Sequence, residues 1–335
     1  MADRPPGRPS LQPRQEQRFS AGGRTLDTRA DQPLAPHRDR TRLVNLLGIA
    51  AAVGTWFFIV AWCEPYGRWP GTAMDAHAYW LAPFGPDPYS IAAVGTPNAY
   101  LYSPIFLQLL HPLRLLPWQG FVAVWALFPL AALAYLTGPR LFLLGLVLTF
   151  TEVAGGNIEL LIGVAIVMGF RWPASWAFVL LTKVTPGVAM LWFVVRKEWR
   201  SLAIATVATA LIVAVSFAIQ PEAWVRWPQV LTSNTGATKG TWAAIPIPFL
   251  VRLPFAIVLV VWGARTNRRW TVPIAAMLAL PALWYGGLAI VVATLPLMGA
   301  RSWSDLVDVY RRARSDVSGW IDRTGTKLSG TPASL

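Results

Sequence analysis

A carboxylate followed two residues later by an imidazole and four later by a phenol is the part of this sequence best equipped for chemistry. It reads Met74-Asp75-Ala76-His77-Ala78-Tyr79-Trp80, inside a stretch that also holds Cys63-Glu64-Pro65-Tyr66, Pro86-Asp87-Pro88-Tyr89 and Tyr100-Leu101-Tyr102-Ser103-Pro104. A helical turn would put Asp75 and Tyr79 on one face. Acids gathered with Tyr, Trp and Pro in one loop just after the first hydrophobic span mark a built site. The plainer reading of Asp75 is a helix N-cap, a position Asp favours strongly. His77, Tyr79, Trp80, Tyr100 and Tyr102 are the polar and aromatic side chains gathered around it. Membrane-interface anchoring accounts for such rings equally well.

The other acids have simpler explanations. Those in the two tails and Glu198 balance neighbouring Arg and Lys. Asp87 sits in the turn sequence Gly85-Pro86-Asp87-Pro88, and Glu64 and Glu222 abut prolines at helix ends. Glu152 and Glu159 lie at membrane depth. Charges within apolar segments stand out more. Lys183, in Leu181-Thr182-Lys183-Val184-Thr185-Pro186-Gly187, lies mid-segment, where a lysine costs about 2.5–3.5 kcal/mol to insert. Pro186 should kink or open that helix. A cavity-facing cation fits better than snorkelling, because Lys183 is far from the Arg196 end. Asn157 and Glu159 follow Gly155-Gly156, a break between two short helices, where pairing with a cation competes with a direct role. Arg252 is a second candidate cation, with Arg226 and Lys239 weaker.

The elements that must position these residues are membrane helices. The chain is 55% hydrophobic and only 13% charged, with a mean hydropathy of +0.45, unlike a soluble domain. Apolar windows near the roughly 20 residues a span requires occur at 43–62, 100–116, 119–136, 141–153, 158–170, 173–195, 202–219, 244–264, 272–286 and 287–298. The expectation is about ten segments, the two shortest being tilted, broken or buried within the bundle. Threading all ten puts every cluster of Arg and Lys on one side: the N-terminal tail, Arg196-Lys197-Arg200, Arg265-Arg268-Arg269 and Arg311-Arg312-Arg314. By the positive-inside rule that side is cytoplasmic. Arg140 and Arg171 fall singly on the opposite side.

Domain organisation follows: a disordered, Arg-rich cytoplasmic tail at 1–42, a transmembrane domain at 43–299 and a cytoplasmic tail at 300–335. The first span is long enough to stay as an anchor, and the tail has no signal-peptide core. The net charge of +13 reads as topology and affinity for anionic membrane lipids, not as nucleic-acid binding. The single cysteine, Cys63, excludes an internal disulfide and a Cys-based cluster. No zinc-type histidine pair, phosphate-binding GxxxxGK[ST] or dinucleotide GxGxxG occurs, so no cofactor and no metal are expected.

The order of features resembles glycosyltransferase family 87. It is carried by a first helix, Met74-Asp75-Ala76-His77-Ala78-Tyr79, Pro88-Tyr89 and Tyr102-Ser103-Pro104-Ile105-Phe106. Gly156-Asn157 then opens a helix, and Lys183-Val184-Thr185-Pro186-Gly187 precedes Arg196-Lys197-Glu198-Trp199-Arg200. Asn157 stands where the family often has Gln. The resemblance covers roughly 43–219 and fades beyond Gln220. It implies an all-α GT-C-type bundle with a catalytic first outer loop, similar to polyprenyl-phosphate-mannose-dependent α-mannosyltransferases. It further implies a polyprenyl-phosphate sugar donor, a lipid or glycan acceptor, and a plasma-membrane site on the outer face. Asp75 matches the family's catalytic base. Lys183 and Arg252 are candidates to hold the donor phosphate, and His77, Tyr79, Tyr102, Asn157 and Glu159 to contact substrate. A transporter or flippase of a lipid-linked saccharide is the alternative, though it gives no reason for an outer-loop carboxylate. A membrane scaffold has no positive support.

Overall fold

The computed structural model describes residues 36–63, 72–233, 244–312 and 314–315. The expectations for 1–35, for Glu64 and Lys239 and for the chain beyond 315 lie outside those residues. Among the described residues the chain is helical, with one isolated antiparallel bridge between Ala244 and Trp284. Helix α1 spans Pro36–Trp62, so it begins inside the stretch expected to be tail. Pro36 suits a first helical position, where its missing N–H is not needed.

Three helices among the described residues are long and apolar enough to cross a membrane: Thr41–Trp62, Trp118–Gly155 and Trp199–Ile219. A bent pair, Tyr285–Met298 with Trp303–Arg312 at 84°, makes up to four. The chain is therefore a helical membrane protein. The rims of α1 and of the helix Trp199–Ile219 explain their composition. Leu46, Ile49 and Phe57 on one, and Val207, Leu211 and Val215 on the other, are exposed, as expected of surfaces that face lipid.

The 38-residue stretch Trp118–Gly155 is two legs, not one rod. A straight helix of that length would reach about 57 Å. Instead Trp125 Nε1 donates to Gly156 O at 2.6 Å, and Gly145 packs against Thr137 and Leu133. The reversal is at Gly138, with φ 66° and ψ 173°, followed by Pro139. We label Trp118–Trp125 α4 and Leu127–Gly155 α5, after α2 (Met74–Leu81) and α3 (Pro104–Arg114). Helix α6 is Glu159–Gly169, α7 Trp176–Thr182, α8 Leu191–Val195, α9 Trp199–Ile219, α10 Pro221–Ser233 and α11 Phe249–Arg265. They are followed by α12 (Thr271–Leu278), α13 (Thr294–Met298) and α14 (Trp303–Arg312).

Contacts between chain-distant residues sort the bundle into two ends. At one, Arg269 lies over the Phe170 ring, next in the chain to Arg171, which rests on its own neighbour Trp172. Arg196 donates to Ala264 O. Arg301 donates to Tyr135 O at 2.7 Å beside the Gly138 reversal, where Asp305 feels the charge of Arg140. This is the basic end. At the other, Trp118 Nε1 donates to Cys63 O, Ala73 N to Ala154 O, Gln220 Nε2 to Gly85 O and Trp227 Nε1 to Leu101 O.

This arrangement corrects two of the expected spans. The window 100–116 does not cross. Ser103 Oγ binds Leu181 O, Gln108 reaches Gln220 and Ser216, and Arg114 reaches the carbonyls of Trp80 and Ala82. Both ends of α3 are thus at the Asp75 end. The window 173–195 is a return excursion from the basic end. It breaks into the 3₁₀ turn Pro173–Ser175, α7, the 3₁₀ stretch Thr185–Met190 and α8. A segment of seven residues, such as α7, rises only about 10 Å. Each window packs an apolar face into the bundle, as Phe106, Leu107 and Leu110 do in the first and Trp176, Val179 and Phe193 in the second, and hydropathy cannot tell such packing from crossing. Removing these two traverses reverses the legs between Trp118 and Gly169. Arg140 and Arg171 then join the other arginines, and Gly155–Glu159 comes to the Asp75 end.

Candidate active site

Helix α2 carries Asp75 and is held against the break between α5 and α6. Ala73, with φ 57°, precedes it and donates its N–H to Ala154 O at 2.6 Å. Gly156 ends α5 with φ 72°, and a Cβ there would stand 2.9 Å from the Ala76 Cβ. Only glycine tolerates both the conformation and the approach. Asp75 is in the first turn of α2 and makes no capping bond; the cap position is Ala73. The helix-cap account of Asp75 therefore does not hold. Its carboxylate takes no hydrogen bond among the described residues and is half-buried.

Beside it is a buried charge array. Lys183 ends α7 in an extended conformation, φ −138° and ψ 102°, where the chain opens before Pro186. Its ammonium pairs with Glu159 Oε1. Glu152, near the end of α5, accepts the Glu159 N–H on Oε1 at 2.8 Å. Its other oxygen lies so near Gly286 that a Cβ there would be 2.6 Å away. Glu152 and Glu159 are 2% and 1% exposed, and burial of this depth requires pairing. Asp75 is outside the spanning helices, and burial pushes its carboxyl from the ordinary 3.8 up to about 7. The Glu159 charge adds to that rise and the Lys183 charge opposes it.

A polar and aromatic layer completes the site. Tyr102 and Tyr79 hydroxyls donate to Asn157 Oδ1 at 3.0 and 3.2 Å and lie 3.1 Å apart. The Tyr79 ring packs edge-on against Tyr102, Phe106 and Trp125, and such pairs add about 0.5–1.5 kcal/mol each beyond area burial. The rings belong to the core, and what they bring to the site is hydroxyl groups.

Two expected site residues are engaged elsewhere. His77 is buried, with Nδ1 2.7 Å from Asn98 Oδ1 and its ring edge-on to Trp118. Arg252 is 4% exposed and donates to the carbonyls of Ile247, Leu278 and Pro281. It ties the start of α11 to the end of α12. Asp87 accepts the Tyr89 N–H, as its turn sequence suggests, and also pairs with Arg226. Glu152, which the sequence marks only as an acid at membrane depth, belongs to this array. Its signal was a carboxylate in an otherwise apolar run, seven residues before another, with a Gly-Gly break between them. Among the described residues no three His, Cys, Asp or Glu side chains are grouped to hold a metal ion.

Residues 100–309 match the profile of glycosyltransferase family 87. The chain belongs to that family. It is therefore a glycosyltransferase, and it acts on a sugar donor and an acceptor. The match continues past Gln220 to residue 309, further than the quoted motifs reached, and it starts after Asp75. α11, α12 and α13 are thus part of the family region, whereas the place of Asp75 rests on geometry. No curated protein and no solved structure matches the chain.

Proposed function

We propose that this family 87 glycosyltransferase moves a hexose, mannose, from a polyprenyl-phosphate donor to a hydroxyl of a lipid or glycan acceptor, inverting the anomeric carbon. The observation that carries this reading is Asp75, half-buried beside the Glu159–Lys183 pair at the α5–α6 break, with its carboxyl near 7. A base of that pKa is ionised in useful fraction at neutral pH and still basic enough to accept a proton. In the reading, Asp75 takes the acceptor O–H proton as that oxygen bonds to the anomeric carbon. The bond from that carbon to the phosphate oxygen breaks on the opposite face, and the polyprenyl phosphate leaves. Lys183 offsets the charge that develops on the phosphate, and Arg252 holds the surrounding loops.

The Asp75 end faces outward from the plasma membrane in this proposal, and the basic end faces the cytoplasm. Residues 43–299 form the catalytic domain between cytoplasmic tails. Purified protein given radiolabelled polyprenyl-phosphate mannose and membrane-extract acceptors should release labelled glycan. Label moved intact between leaflets, without transfer, would favour the flippase instead. After replacement of Cys63, an impermeant thiol reagent applied outside should reach Ser90→Cys. Both Arg171→Cys and Thr266→Cys should stay protected until the membrane is opened. Labelling of Arg171→Cys from outside would restore the ten-segment threading.

A further inference from the structure

Helix α14 carries an apolar face that the described part of the bundle leaves uncovered. Trp303, Val307 and Tyr310, spaced four and three apart, fall on one side of it. They are 59%, 44% and 65% exposed, with Leu306 half-buried at their edge. The other side is charged. Arg311 Nη1 lies 3.5 Å from Asp308 Oδ1, and Arg312 Nε donates to the Asp308 carbonyl. The start of the helix is fixed at the basic end. Ser302 Oγ accepts the Asp305 N–H and Asp305 Oδ2 the Arg301 N–H, while Arg301 holds the Tyr135 carbonyl beside the Gly138 reversal. The segment before it, Tyr285–Met298, runs from Gly286, beside Glu152, to that same end, and α14 leaves it at 84°. A helix nearly at right angles to a crossing segment runs along the bilayer surface. Its rise of about 15 Å is half of the roughly 30 Å core, so it does not cross.

We infer that α14 is an interfacial helix, with its Trp303–Val307–Tyr310 face in the headgroup–acyl boundary of the bilayer at the basic end and its charged face in water. Three features favour lipid over a protein partner. The side chains are those of an interface, Trp and Tyr on the apolar face and Arg311 at its border, placed for lipid phosphate. Direction and position already hold the helix at the membrane surface. It is also tethered to a chain within the membrane, so a short apolar face suffices where a free helix would need a longer one. The consequence is depth. Arg301 ties the start of α14 to the carbonyls of Tyr135 and Leu136, so the level of this helix sets the level of the Gly138 reversal. The inference rests on the fold and is independent of the proposed transfer reaction.

The test uses the full chain in phospholipid vesicles containing phosphatidylglycerol, with Cys63 replaced and one spin label at a time. Labels go on the apolar face at Trp303→Cys, Val307→Cys or Tyr310→Cys, and on the charged face at Asp308→Cys or Arg312→Cys. Collision with oxygen, which concentrates in lipid, against collision with a water-soluble nickel chelate gives the depth of each label. The apolar-face labels should lie about 5–10 Å below the phosphates, and the charged-face labels in water. Val307→Asp should return the Tyr310→Cys label to water, whereas Asp308→Asn should leave it in lipid. Both side chains are exposed, so the fold should tolerate either change. Strong nickel collisions at all five positions would overturn the inference, by lifting the helix off the membrane. Weak collisions with both reagents at Val307→Cys would also overturn it, by placing a second copy or another part of the chain on the face. So would an Arg312→Cys label as deep as Tyr310→Cys, the pattern of a helix that enters the core.

Discussion

The two ends of this molecule use charge in opposite ways. At the basic end the charges are arginines at the surface, resting on the faces of Trp172, Trp192, Trp262 and Phe170. Their ion pairs are exposed, as between Arg196 and Glu198 or Arg311 and Asp308, and pairs of that kind contribute about 0–1 kcal/mol each. At the Asp75 end, besides the surface pair of Asp87 and Arg226, carboxylates from three different helices gather around one lysine, Glu152 and Glu159 enclosed and Asp75 half-buried. Surface charge sets orientation and tolerates replacement, whereas enclosed charge is held in a fixed place by the whole bundle. In the proposed reading, that contrast separates the end that would orient the protein from the end that would carry the reaction.

The largest effect expected from breaking the comparison is at Asp75. Asp75→Asn keeps the shape but cannot accept a proton, and should lower transfer by at least about 10²-fold. Melting and donor binding should be unchanged. Transfer at near wild-type rate would end the general-base assignment. Next is the enclosed pair. From the sequence alone, Lys183→Met removes a costly charge and leaves the fold intact. With Glu159 opposite, it strands a buried carboxylate, and breaking such a pair costs about 3–5 kcal/mol. Thermal unfolding in detergent should show that loss, and adding Glu159→Gln should recover most of it.

A subtler effect concerns pH. The groups facing Asp75 are Glu159, Lys183, Glu152, Tyr79 and Tyr102. With the carboxyl near 7, transfer should rise as pH increases through about 7. The folded state then binds a proton more tightly than the unfolded chain, so this group's contribution to stability declines as pH rises from about 4 to 7. Glu159→Gln removes a charge that raises the Asp75 value and should move the kinetic midpoint to lower pH. A midpoint that stays put would show that Glu159 does not act on Asp75. The smallest effect belongs to the basic end. Arg269→Gln forfeits one cation–aromatic contact, about 0.5–1 kcal/mol at an exposed site, and should leave transfer rates at wild-type level.

The side chains that the structure gathers at the candidate site are conspicuous in the sequence, and much of the path of the chain is not. Lys183, Asn157 and Glu159 stand out as charged or amide groups beside Pro and Gly-Gly breaks in apolar runs, and Asp75 as an acid among aromatics in the loop after the first span. The opening at Lys183 follows from Pro186 by the loss of one helical hydrogen bond. Ten crossings and the packing of the bundle give opposite directions for the legs between Trp118 and Gly169, because hydropathy reports burial without saying whether a segment crosses. The warning was present: Arg140 and Arg171 alone violated the charge rule. Neither the ring packing of Tyr79 nor the carbonyl cage around Arg252 could be read, since both depend on partners distant in sequence.

The excursion between Pro173 and Val195 has a consequence for how the protein is made. Its legs are too short to anchor themselves, and its tip carries a lysine whose burial depends on Glu159. Such a loop cannot be delivered to the bilayer as an independent spanning unit. It settles only after the preceding helix has presented its carboxylate, and the order of synthesis provides that, since Glu159 emerges 24 residues earlier. Seating of this loop and completion of the Glu159–Lys183 pair should therefore coincide. A chain that failed to seat this loop would leave the membrane machinery with an unburied cation, a mark by which quality control could single it out.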